Sequence, residues 1–174
     1  MDDGKPDKLS RRDLFKGFMR QLRRQEEQDE SSGMAPEVLK ADWLLREEKY
    51  QEAAEAYARC LDKEPGHLEA LRRLGFCRMK LNQTEEARRV WEKLKRYRPG
   101  DDYAALYTGL SHAMDGEAEK AVAVWRTYLN IKQPLIQRQV NLILALHERG
   151  DQLDPAQMVR SIEEAILEQK KTRR

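Results

Sequence analysis

The sequence predicts an all-α fold built from a repeated helical unit, and three observations carry that prediction. Charged residues make up 37% of the 174 positions, against a usual share of about 25%, and the surplus of Glu, Lys, Arg, Ala and Leu favours helices. Aromatic residues are only 7%, with six prolines and nine glycines, which disfavours a turn-rich β-sandwich. Most tellingly, the chain matches itself when shifted by 34 residues, and periods of that size mark repeat architectures.

Residues 1–33 precede the repeat. Within them, residues 9–24 predict a short basic amphipathic helix. Ser10 with Asp13 makes a capping box, and Leu9 against Leu14 a hydrophobic staple. Leu14, Phe15, Phe18, Met19 and Leu22 fall on one face, with Arg12, Lys16, Arg20, Arg23 and Arg24 on the other. Residues 5–24 carry eight basic and two acidic groups, a local charge of +6. An isolated helix this short is marginal in water, so it should order on something: the repeats themselves, a partner protein or an anionic membrane surface. Residues 25–33 read as a polar, acidic linker.

Residues 34–133 hold three units: 34–67, 68–101 and 102–133. The shift of 34 superposes Ala41, Gly75 and Gly109, then Ala53, Ala87 and Ala121, then Tyr57, Trp91 and Trp125, and also Pro65 and Pro99. Gly75 and Gly109 are small where two helices approach closely. Ala87 and Ala121 meet them from the second helix, and Trp91 and Trp125 fill the space between a pair and its neighbour. Pro65 and Pro99 cannot continue a helix and close their units. Arg78 and His112 depart from the pattern, standing where the first unit has Leu44.

This pattern resembles the tetratricopeptide repeat: a small residue in the first helix, Ala early in the second, an aromatic one turn later and a closing proline. The resemblance implies an α–α superhelix, a right-handed solenoid of antiparallel helix pairs whose concave groove binds a protein or peptide. It places Val38, Asp42 and Leu45, then Arg72, Phe76, Met79 and Lys80, then Tyr103, Leu106, Leu110 and Met114 on that groove. Chaperone-binding members carry a Lys/Asn/Arg clamp for a terminal carboxylate. Val38 and Asp42 replace its leading Lys and Asn, so chaperone-tail recognition is disfavoured. The expected groove is apolar with a few cations, which suits an amphipathic helix or an extended apolar peptide.

Residues 134–171 predict a degenerate capping helix pair. Val140, Leu142, Ile143, Leu144 and Leu146 are apolar up to Gly150, and Asp154-Pro155 supplies an N-cap and first-turn residue. Met158, Val159, Ile162, Ala165 and Ile166 form one stripe, with Glu163, Glu164, Glu168 and Gln169 expected to face solvent as a terminal cap. Lys170 to Arg174 is expected to fray.

The composition also excludes function classes. Thirty-three Lys and Arg against 31 Asp and Glu leave a net charge of +2, so nucleic acid is a disfavoured partner. The three histidines have no Cys or His neighbour at metal-ligand spacing, and no phosphate-binding or nucleophile motif occurs. No catalytic residue, metal or cofactor is therefore expected. Cys60 and Cys77 read as buried small hydrophobes. Ser10-Arg11-Arg12-Asp13-Leu14-Phe15-Lys16 resembles a twin-arginine export motif, but no apolar signal core follows, so a cytoplasmic location is expected. The expected function is a non-enzymatic adaptor or scaffold. The alternative is a peripheral membrane or membrane-complex subunit held by the N-terminal helix.

Overall fold

The computed structural model describes residues 36–172. The predicted helix over 9–24, with Leu14, Phe15, Phe18, Met19 and Leu22, lies outside the described residues. Among those described there are eight helices and no strand: α1 Pro36–Arg46, α2 Tyr50–Lys63, α3 Leu68–Lys80, α4 Thr84–Tyr97, α5 Asp102–Met114, α6 Ala118–Trp125, α7 Pro134–Glu148 and α8 Pro155–Lys171. The expected all-α fold of paired helices is what the chain forms. Each helix packs against the next along the chain, and among the described residues the core forms two clusters bridged by Leu61 and Val90.

The glycine–tryptophan positions show how the pairs close. A Cβ at Gly75 would lie 2.2 Å from the Trp91 indole nitrogen, and one at Gly109 2.2 Å from that of Trp125. Both indoles are fully buried. Trp91 Nε1 donates to the Arg72 carbonyl at 3.3 Å, and Trp125 Nε1 to the Leu106 carbonyl at 3.0 Å, the same bond one repeat on. Gly75 and Gly109 therefore receive their own pair's tryptophan directly, rather than meeting Ala87 and Ala121 with the indoles beyond them. In the first pair, Ala41 and Tyr57 are both fully buried in one cluster. There a narrower ring accompanies the extra methyl.

The backbone keeps the period as well. Glu48, Asn82, Gly116 and Gly150 all have positive φ, at 56°, 61°, 79° and 86°. They are spaced by 34 residues and turn the first helix of each of the four pairs into the second. Gly takes this left-handed conformation without a Cβ clash, Asn tolerates it, and Glu48 adopts it at a steric cost.

Polar side chains fill the remaining joints. The His67 ring accepts from the Ala70 amide and caps α3, and Asp101 accepts from the Ala104 amide at 2.9 Å and caps α5. Asp154 accepts from the Ala156 amide and caps α8 as predicted. Arg78 donates to Gln83 Oε1 at 2.8 Å, and His112 Nδ1 lies 2.7 Å from Glu117 Oε2. These two pairs are equivalent by the repeat. A polar side chain thus occupies the Leu44 position because the following turn supplies its partner.

The structure departs from the sequence reading at the C-terminal end. The second helix of the third pair stops at Trp125, eight residues long against 14 for α2 and α4. Val122, Val124 and Thr127 are β-branched and weak helix formers, and the Tyr128 amide turns back to the Trp125 carbonyl. Helix α8 packs against α5 as well as α7. Gln169, expected at the solvent face, is 6% exposed and accepts from the Leu135 amide at 3.0 Å. That bond satisfies an orphan amide at the start of α7. Held this way, α8 continues as far as Lys171. Cys60 and Cys77 are buried free thiols, and burial pushes the Cys77 thiol up to about 12.

Candidate partner-binding groove

The first helices α1, α3 and α5 carry the residues assigned to the groove, and the structure sorts them into three groups. Val38, Met79, Leu106 and Leu110 are at most 3% exposed and belong to the core. Leu45, Phe76 and Tyr103 are half-buried, so one side of each packs and the other faces out. Lys80 and Met114 are exposed.

The burial of Leu106 and Leu110 has a local cause. Helix α5 carries no charged side chain between Asp102 and His112 and meets α3, α4, α6 and α8. Asp102, Tyr103, Leu106 and Tyr107 of α5 face Ile166, Gln169 and Lys170 of α8 across a cavity of about 210 Å³. The last helix thus lies along the third pair's share of the groove. The residues left open belong mainly to the first two pairs.

An aromatic row runs from this open part into the third pair, where Tyr107 is buried in the core. Tyr50 meets Phe76 at 6.4 Å between ring centroids, Phe76 meets Tyr107 at 5.6 Å, and Tyr107 meets Tyr103 at 4.4 Å. The first two contacts are edge-to-face, the arrangement that ring quadrupoles favour. Burial raises the Tyr103 and Tyr107 hydroxyls, Tyr107 to about 12, so both stay neutral donors at physiological pH. Tyr107 is a member of the row that the repeat pattern does not assign to the groove.

The charges are unevenly committed. Arg72 Nη2 bonds Asp101 Oδ2 at 2.5 Å, and Nη1 bonds Glu69 at 3.1 Å. Asp101 raises the Arg72 guanidinium further above its ordinary value. Arg73 bonds the same Glu69 at 2.6 Å. Burial acts to raise the Glu69 carboxyl, but the two arginines outweigh it and hold it below its usual range. Asp42 accepts from the Tyr57 hydroxyl. Lys80 is the loosely held cation: its Nζ sits 5.7 Å from the Phe76 ring centroid and 4.0 Å from Glu163. Among the described residues no group of three or more His, Cys, Asp or Glu could hold a metal ion, and no helix is long and apolar enough to cross a membrane.

Comparison with known proteins agrees with this architecture. The family model described as tetratricopeptide repeat matches residues 44–110. Similar solved structures include MamA, at 16% identity and TM-score 0.57 over 79% of this chain and 80% of that one. A MamA RS-1 ArsTM double mutant is 22% identical, with TM-score 0.56 over 77% and 75%. MamA 41-end from Desulfovibrio magneticus RS-1 is 20% identical, with TM-score 0.55 over 79% and 75%. At these identities the likeness is one of fold. A comparison with curated proteins gave no match. The repeats support a protein-interaction or scaffold role. Residues 44–110 thus match the tetratricopeptide repeat, and the helix pairs on either side continue the same paired-helix architecture.

Proposed function

We propose that this chain is a non-enzymatic adaptor that binds an apolar peptide or amphipathic helix at Phe76, which is held in an aromatic row with Tyr50, Tyr103 and the buried Tyr107. The observation that carries the reading is the half-buried Phe76. It is held edge-on by Tyr50 and Tyr107 yet open on one side, with Lys80 at its rim. A rigid aromatic anchor beside a cation is what an apolar side chain followed by an acidic group would recognise. Arg72 serves this differently from the sequence expectation. Its guanidinium is bound to Asp101 and Glu69, so it shapes the floor while Lys80 meets the acidic group.

Capture from the native cell by the tagged full chain, compared with Phe76→Ala and Lys80→Ala and read by quantitative mass spectrometry, tests the proposal. Phe76→Ala should weaken the captured partner by about 1–2 kcal/mol, roughly 5- to 30-fold in Kd. Lys80→Ala should weaken it less, and mainly at low salt. An unchanged affinity with the fold intact would sink the groove reading. The alternative of a membrane-surface subunit rests on residues 9–24, outside the described residues.

A further inference from the structure

We infer that residues 9–24 of this chain cover the free end of the helix array at Leu39 and Trp43. Helix α1 buries Val38, Ala41 and Leu44 and, among the described helices, makes its substantial contacts with α2 alone. Leu39 and Trp43, one turn apart on the other side of α1, stay 41% and 52% exposed. The other two tryptophans, Trp91 and Trp125, are fully buried. Every inner helix pair of a stacked array has neighbours on both sides, and a terminal pair needs a polar outer face or a cap. A half-exposed tryptophan next to an exposed leucine is not a polar outer face. It is an apolar strip that asks for a partner.

Two further observations identify the occupant. The first is position. The chain outside the described structure joins it at residue 36, at the same end as the strip. From Arg24 to Pro36 the chain can reach roughly 40 Å when extended, ample to turn back over α1. It carries Leu14, Phe15, Phe18, Met19 and Leu22 at helical spacing, an apolar face of the size a single helix offers. The second is charge. Residues 36–55 hold six acidic side chains (Glu37, Asp42, Glu47, Glu48, Glu52 and Glu55) against Lys40, Arg46 and Lys49, a net charge of −3. Residues 5–24 carry +6. Glu37 is paired with Lys63, Asp42 accepts from Tyr57, and Lys49 Nζ lies 5.3 Å from the Trp43 ring centroid, so burial of the two apolar faces carries the placement and the overall charge difference assists it only at long range.

The full-length chain tests this through Trp43 itself. Because Trp91 and Trp125 are fully buried, acrylamide quenching reports chiefly on Trp43. The double substitution Phe15→Glu/Phe18→Glu should red-shift the emission and make Trp43 freely quenchable, with the far-UV signal of the repeats retained. Leu39→Glu, on the other side of the contact, should do the same. Protection in the parent chain should persist on about tenfold dilution, since an intramolecular contact does not obey mass action. Quenching that both substitutions leave unchanged overturns the inference. Protection lost on dilution overturns it in favour of a second copy, and protection gained only on adding phosphatidylserine vesicles overturns it in favour of a membrane surface. None of these outcomes bears on Phe76, so the groove proposal stands or falls separately.

Discussion

Replacing Gly109 with alanine should destabilise this protein, although glycine-to-alanine in a helix usually does the reverse. In an exposed helix interior the change gains about 1 kcal/mol from propensity. At Gly109 the new methyl would lie 2.2 Å from Nε1, 2.5 Å from Cδ1 and 2.6 Å from Cε2 of Trp125. The indole is fully buried and cannot swing into solvent. Overpacking of this kind costs about 1–3 kcal/mol. Displacing the ring also strains the Nε1 bond to the Leu106 carbonyl, and a buried donor left unpaired costs about 1–3 kcal/mol more. With the propensity gain subtracted, the net loss should be about 1–5 kcal/mol, which lowers Tm by roughly 2–20 °C for a chain of this size. Urea and thermal unfolding followed by circular dichroism would measure it, with an unchanged m-value confirming a folded-state effect. The first pair supplies the internal control, because it combines Ala41 with Tyr57. Gly109→Ala in a Trp125→Tyr background should therefore be neutral or stabilising, a coupling of at least about 1 kcal/mol. A rise in Tm on Gly109→Ala in the parent chain would refute the packing argument outright.

Three other outcomes follow from the geometry. Glu48→Gly should stabilise the chain by about 1 kcal/mol, because it removes a left-handed strain of about 1–2 kcal/mol at some cost in chain entropy; no gain in unfolding midpoint would mean the turn is not strained. Asp101→Ala removes both the cap of α5 and the acceptor of Arg72, so it should cost about 2–4 kcal/mol, whereas Asp101→Asn, which keeps the cap, should cost clearly less in the same denaturation assay. Glu117 is held down to about 2 by Lys120 and then His112, from an ordinary 4.5. A lowered carboxyl stabilises the fold above its unfolded pKa and loses that contribution as pH falls from about 4.5 toward 2. Tm plotted against pH for Glu117→Gln should therefore be flatter over that window than for the parent, and superimposable curves would count against the pairing.

How much of this was legible follows from the range of each interaction. The meeting of Gly109 with Trp125 spans 16 residues inside one helix pair, and the 34-residue shift exposes it because each pair repeats it. The cap at Asp154 was legible because a cap is local. Arg78 and His112 looked like flaws in the pattern only until their turn partners, five residues on, were seen. The groove was legible as a set of positions but not as a surface. Helical spacing says which residues share a face and is silent on what covers it. Leu106 is buried because α8 returns against α5, and Gln169 turns inward because the start of α7 leaves an amide to satisfy. Arg72 is spent on Asp101, 29 residues away with the whole of α4 between them.

The sequence by itself therefore determined the helical class, the unit and its phase, because periodicity and close-packed small–large pairs are written in residues near one another. Only the tertiary structure decided which candidate groove residues stay open, that Lys80 is more loosely held than Arg72 and where the described helices end in an apolar strip. Those depend on how successive pairs stack, and stacking is set by contacts between helices that the period alone does not bring together.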